Sequence, residues 1–212
     1  MNIQEELQKY DISAPTAAKL HRMVALLNEW NEKMNLVSRN SMAEVWQRHV
    51  FDSAQLIDFL PPSLTHLVDI GSGAGFPGLV LAILLEQTNP QAHITLVESI
   101  TKKTVYLNDM TQQLELKNVQ VINDRVENLP RIGVFKTVDV ITARAVAALD
   151  VLCGYAAKIG QKNTQLLLLK GKTYAAEDAA ARQHWQYNLQ VTPNRYGADG
   201  VILQLTNLRK KK

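Results

Sequence analysis

Two hydrophobic periods divide the chain. Over residues 1–62 apolar side chains recur every three or four positions, the spacing of amphipathic helices. In PTAAKLHRMVALLNEWNEKM, Leu20, Met23, Val24, Leu27, Trp30 and Met34 share one face behind Pro15, a natural first-turn residue. A second helix is expected in SMAEVWQRHVFDSAQLIDFL, capped by Ser41, with Val45, Trp46, Val50, Ala54 and Ile57 facing the core. Pro61-Pro62 ends it.

Beyond residue 62 short apolar runs alternate with helical stretches. The runs are HLVDI, HITLVES, VQVIN, VDVITA and QLLLLK; the helices lie in PGLVLAILLEQ, KKTVYLNDMTQQLEL and AALDVLCGYAAK. Such alternation predicts an α/β fold, a mostly parallel sheet with helices on both faces. YNLQVTP and GVILQLTNL, separated by the turn-rich NRYGAD, predict an antiparallel pair at the sheet edge. Three segments are therefore expected: a helical extension over 1–62, an α/β domain over 63–208, and a basic tail over 209–212.

The densest local signal is LVDIGSGAGFPG, residues 67–78. Gly73, Gly75 and Gly78 satisfy the G-x-G-x-x-G dinucleotide spacing, whereas Gly71, Gly73 and Gly75 form a tighter G-x-G-x-G turn. In the first register Phe76-Pro77 would crowd a pyrophosphate and Pro77 would remove an N–H. The second register places Pro77 at the helix start, and is favoured. A turn of that form suits S-adenosylmethionine, with Asp69 offsetting positive charge and Glu98, ending HITLVES, placed for ribose hydroxyls. The same acid occurs in NAD sites and does not discriminate.

Composition narrows the class. The 212 residues are 46% hydrophobic and 20% charged, as in ordinary globular domains. The single Cys153 gives no disulfide framework and fits a cytoplasmic protein. The start MNIQEELQKYDIS lacks the pattern of a signal peptide, and no apolar run is long enough for a membrane span. The net charge of +3 comes from Arg209, Lys210, Lys211 and Lys212; without them 19 basic residues face 20 acidic ones. The body is thus no broadly basic nucleic-acid binder.

Several chemistries lack their residues. One cysteine cannot hold a radical iron–sulfur cluster, and Cys153 follows Leu152 rather than the proline of a cytosine-C5 nucleophile. The histidines, His21, His49, His66, His93 and His184, show no pair four apart, so no metal site is expected. No tyrosine precedes a lysine by four, which removes the usual short-chain dehydrogenase pair. Arg144 of TARAVA remains at the carboxyl end of the fourth strand.

DIGSGAGFPG, NDRVENL, VITARAVA and LLLLKG, with WNEKMNLVS and RHVFDS, resemble the bacterial 16S ribosomal RNA guanine-N7 methyltransferases, formerly glucose-inhibited division protein B. The resemblance covers nearly the whole chain in order. It implies a class I methyltransferase fold, S-adenosylmethionine as cofactor, and guanine 527 of the small-subunit RNA as target. Carried over by position, cofactor contacts fall on Gly71, Phe76, Val126, Glu127 and Arg144, beside Gly73 and Glu98 from the loop argument. The family's Asp-Pro helix start is replaced here by Asn40-Ser41-Met42.

Guanine N7 carries a lone pair and no proton, so no general base is assigned; Arg144 and His49 are positioning candidates. Arg48, His49, Lys170 and Arg209, Lys210, Lys211 and Lys212 are the RNA-binding candidates. The expected partner is 16S RNA or the small ribosomal subunit, bound by a monomer. Two other readings stay open: an NAD(P)-dependent oxidoreductase using the Gly73 register, and a non-catalytic S-adenosylmethionine-binding module.

Overall fold

In the computed structural model, which describes residues 1–129, 135–197 and 199–211, seven strands form one sheet in the order β3-β2-β1-β4-β5-β7-β6. The strands are β1 His66–Ile70, β2 His93–Glu98, β3 Val119–Asn123, β4 Val140–Arg144, β5 Gln165–Lys170, β6 Trp185–Pro193 and β7 Val201–Lys210. β1 to β5 are parallel; β7 runs antiparallel between β5 and β6. The buried strands read as continuous apolar runs because both faces are covered.

Helices α1 Ile3–Lys9, α2 Ala14–Asn31 and α3 Arg39–Ala43 precede the sheet. α4 Gly78–Thr88, α5 Thr101–Gln113, α6 Leu149–Ile159 and α7 Tyr174–His184 connect its strands. Ser13 caps α2, and its buried Leu20, Met23, Leu26 and Leu27 join Leu79–Leu85 of α4 in one core. Burying each such side chain stabilises by about 1.5–3 kcal/mol. The helical extension is therefore part of the core on one sheet face. A second cluster, around Leu152, Cys153, Leu168 and Leu203, fills the other face.

The expected long second helix is broken. Ser38, not Ser41, caps α3: its Oγ accepts the Ser41 N–H at 3.2 Å. Trp46–Phe51 then winds as a π-helical turn, followed by short helical pieces over Asp52–Ala54 and Gln55–Phe59. Wide turns of this kind re-aim side chains and cluster at functional sites. Val45, Val50 and Ala54 are buried as expected, joined by Phe51 and Leu56, while Trp46 and Ile57 are half-buried.

β7 continues through Arg209 and Lys210, and the Lys211 N–H donates to His184 O at 2.8 Å. The boundary expected at 208 thus falls inside a strand, because ladder pairing with β6 extends to Trp185–Lys210. Lys212 lies outside the described residues.

Candidate cofactor and substrate site

β1 delivers the chain to its carboxyl end at Ile70, where the backbone turns through Gly71, Gly73 and Gly75 at φ +67°, +54° and +88°. These values suit glycine and strain any β-carbon-bearing residue. The turn follows the Gly71-x-Gly73-x-Gly75 register. Gly78 instead begins α4, where a β-carbon would lie 2.3 Å from Leu96 Cδ2. Pro77 is the residue just before α4, one position earlier than the sequence suggested.

Neighbouring strands brace the loop. Gly71 and Ser72 donate N–H bonds to Val97 O at 2.8 and 3.1 Å, and Tyr106 donates its hydroxyl to Ala74 O. Glu98, 5% exposed, accepts the Gly73 N–H on Oε2 and the Ile100 N–H on Oε1. It therefore holds the loop and the start of α5, and each oxygen retains a second lone pair for a hydroxyl.

A cavity of about 260 Å³ opens beside this turn, lined by Gly71, Val97, Ser99, Asp124, Val126, Glu127, Val146 and Tyr155 among others. Ligands of open α/β sheets bind at this edge, beyond the strands' carboxyl ends. Its rim offers apolar Val126 and Val146 for a flat ring, and the carboxylates of Asp124 and Glu127. Glu127 sits below the usual carboxylate range because its own backbone N–H and the Tyr155 hydroxyl donate to it. A β-carbon on Gly71 would meet Val146 Cγ2 at 2.6 Å, so the absent side chain keeps this edge open.

Behind the loop, Asp69 is wholly buried. Thr142 Oγ1 donates to its Oδ1 at 2.7 Å, while Oδ2 has no hydrogen-bond partner among the described residues. Burial raises its pKa to about 6, against the opposing bond from Thr142. An acid so placed puts negative potential under a cradle whose expected ligand is cationic at sulfur and nitrogen.

The other wall is built across the chain. Arg144, at the end of β4, donates from Nη1 to Asp52 Oδ2 at 3.1 Å and to Arg48 O at 3.0 Å. Its Nη2 donates to His49 Nδ1 at 2.7 Å, and its guanidinium lies 5.2 Å over the Phe76 ring. His49 stacks on Phe76, with ring centroids 4.9 Å apart. Asp52 also accepts from Gln55 Nε2 and Asn194 Nδ2, which brings in the turn before β7. Burial and the flanking Arg144 and Arg48 lower the His49 pKa to about 4. The imidazole is thus neutral near pH 7, with Nδ1 accepting and Nε2 carrying the proton.

A family model for rRNA small subunit methyltransferase G matches residues 16–197. Proteins named ribosomal RNA small subunit methyltransferase G from Cereibacter sphaeroides and Rhizobium rhizogenes are 40% and 38% identical, over 95% and 97% of this chain and 96% and 99% of theirs. The chain belongs to the rRNA small subunit methyltransferase G family. That is a family of S-adenosylmethionine-dependent enzymes, as the glycine turn and the resemblance implied. Among solved structures, a SAM-dependent methyltransferase from Aquifex aeolicus shares the fold at TM-score 0.58 and 11% identity, covering 86% of this chain and 97% of that one. Aeropyrum pernix fibrillarin, solved with natively bound S-adenosyl-L-methionine, gives TM-score 0.57 at 13% identity, covering 76% and 75%.

The structure sorts the expected methyltransferase G site residues into two groups. Gly71, Val126 and Glu127 line one cavity, with Gly73 and Glu98 immediately behind it. Phe76 and Arg144 lie instead in the cluster with His49, where Phe76 is 3% exposed. Arg48 is exposed and pairs only loosely with Glu44, at 3.4 Å. Lys170 is committed inside the protein: its Nζ donates to Ala147 O at 2.7 Å and to Glu177 Oε2 at 2.6 Å. That geometry ties β5 to α7 and leaves little of the ammonium for an RNA phosphate.

Other parts were missed. Asn194 and Gln55 carried no sequence signal, because their role exists only once the last hairpin folds onto the π-helical turn. Val146, two residues after Arg144, carried no sequence signal either, because its exposed apolar side chain is visible only in the fold. A groove of about 970 Å³ runs between α2 and residues 35–45, away from the glycine turn. No group of three or more His, Cys, Asp or Glu is placed to hold a metal ion, and no helix is long and apolar enough to cross a membrane, among the described residues.

Proposed function

We propose that this chain transfers the methyl group of S-adenosylmethionine to N7 of guanine 527 in 16S ribosomal RNA, acting on a structured small-subunit particle. The match over residues 16–197 carries the reading. Gly71, Val126 and Glu127 would hold the nucleoside part of the cofactor, and Glu98, behind the turn, would accept from a ribose hydroxyl. Bound there, the cofactor supplies an electrophilic methyl on a sulfonium.

The residues then need to align rather than to move a proton. N7 would attack with its own lone pair, so no side chain has to take a proton from the base, and the chain's part would be to hold the guanine in line with the methyl group. His49 is unprotonated near neutral pH, yet its Nδ1 is occupied by Arg144, so it does not stand as a free base. Arg144 uses three of its five N–H donors on described residues, which leaves two for an RNA phosphate. The modest charge of the body favours a shaped RNA–protein particle over naked strand.

The test supplies methyl-labelled cofactor with small subunits lacking the modification, then maps the label by cleavage chemistry specific to 7-methylguanine. Label at one guanine, at position 527, is expected. Label on an exocyclic amine, a ribose or a protein would overturn the assignment.

A further inference from the structure

The sheet edge opposite the glycine turn carries a feature that methyl transfer does not use. Two adjoining cavities, of about 370 and 300 Å³, share Lys162, Leu208 and Arg209 in their walls. Lys210 lines the first; Gln186, Asn188 and Asn207 line the second. None of the residues lining either cavity is an Asp or Glu. Lys162, Arg209 and Lys210 are exposed, and none makes an ion pair within 4 Å among the described residues.

Topology fixes where this patch lies. Lys162 is in the turn from α6 into β5, at that strand's amino end, whereas the glycine turn sits at the carboxyl ends of the parallel strands. The five steps between the six residues of β5, at roughly 3.3 Å each, separate the two edges by about 17 Å. Arg209 and Lys210 reach the same place because β7 runs antiparallel to β5 and overshoots its amino end. Pairing with Gln186 and Trp185 of β6 holds them there. They are fixed on a ladder, not carried on a frayed end.

We propose that Lys162, Arg209 and Lys210 form a second RNA-phosphate contact, used together with the methylation site but on a different RNA segment. This rests on the ribosomal RNA reading above. Three unpaired cations beside amide-lined hollows suit a phosphate backbone: the cations neutralise it, and Gln186, Asn188 and Asn207 can donate to its oxygens. A strand bound at the carboxyl edge cannot also lie here unless it turns back, so only a large folded RNA engages both.

The experiment compares Lys162→Ala/Arg209→Ala/Lys210→Ala with the parent protein, after thermal melting shows equal stability. Binding to unmethylated small subunits and to a short hairpin transcript containing the target guanine is measured against salt concentration. With subunits the variant should bind at least about tenfold more weakly, and its log K against log salt slope should flatten by about 2–3 units. With the hairpin, affinity and its salt slope should stay close to the parent's. Equal losses on both RNAs would overturn the proposal, because the patch would then serve the methylation site itself. A loss on subunits with an unchanged slope would also overturn it, and would assign the surface to a protein of the particle. Since the slope is read from binding, it tests the patch even where methyl transfer to the expected guanine fails.

Discussion

The two walls of the site are made in opposite ways. The cavity beside Gly71 is lined by several segments that meet at the carboxyl edge of the sheet, namely Gly71, Val97 and Ser99, residues 124–127, Val146 and Tyr155, and the positive-φ glycine turn keeps it open. The His49–Arg144–Asp52 cluster is assembled from segments 92 to 142 residues apart. It joins the π-helical turn, the end of β4 and the turn before β7. A cradle defined by φ angles tolerates few substitutions at its glycines. A cluster defined by buried charge depends on every partner being present.

The largest expected effect is on the cluster. Asp52→Ala would leave the half-buried Arg144 guanidinium without its carboxylate, and should cost about 3 kcal/mol of stability in denaturant titration, the low end for a buried ion pair. Asp52→Asn keeps the acceptor oxygen and should cost visibly less. If both variants melt like the parent, the cluster is not a unit.

Next comes the cradle. Gly71→Val combines a left-handed backbone position with the Val146 contact, and should weaken S-adenosylmethionine binding by roughly thirtyfold or more in calorimetry. The protein should stay folded but melt below the parent, because the backbone at this position is strained for any residue but glycine. Unchanged affinity would remove the turn from the cofactor site.

The smallest effect separates the walls by proton linkage. Asp69, raised to about 6, contributes stability that is present below about pH 4 and lost as pH rises through 6. His49, lowered to about 4, contributes stability that is present above about pH 6.5 and lost as pH falls through 4. The two slopes oppose one another across that window and largely cancel. His49→Gln should expose a stability that falls with rising pH, and Asp69→Asn one that rises, each followed by melting between pH 4 and 6.5. Identical slopes in both variants would contradict the assigned environments.

The same contrast explains what was legible in the sequence. The buried strands β1, β2, β4 and β5 and the glycine register could be read, because a buried strand needs an apolar run and a tight turn needs glycines in order. α7 could not: Ala181 is its sole buried residue, so no apolar stripe marks it. The broken second helix was equally hidden, since its 3.6-residue pattern continues through residues that wind as a π turn. Arg144, His49 and Arg48 could be named as candidates from the sequence, but not the contacts that join them to Asp52. Asp52 reads as a helix-surface acid paired to Arg48 four residues earlier, and only the fold brings β4 to it. Lys170 shows the converse: a lysine closing a strand looked available and is buried against Glu177.

The claim that two separable walls make one site is tested most directly with Arg144→Lys, which keeps the charge and loses the planar fork. S-adenosylmethionine affinity is measured by calorimetry, and the single-turnover methylation rate of small subunits at saturating cofactor is measured alongside it. Cofactor affinity within about twofold of the parent, with the rate reduced by roughly tenfold or more, is the predicted result. Cofactor affinity falling in step with the rate would contradict the account, because the guanidinium would then belong to the cradle rather than to the wall facing the RNA.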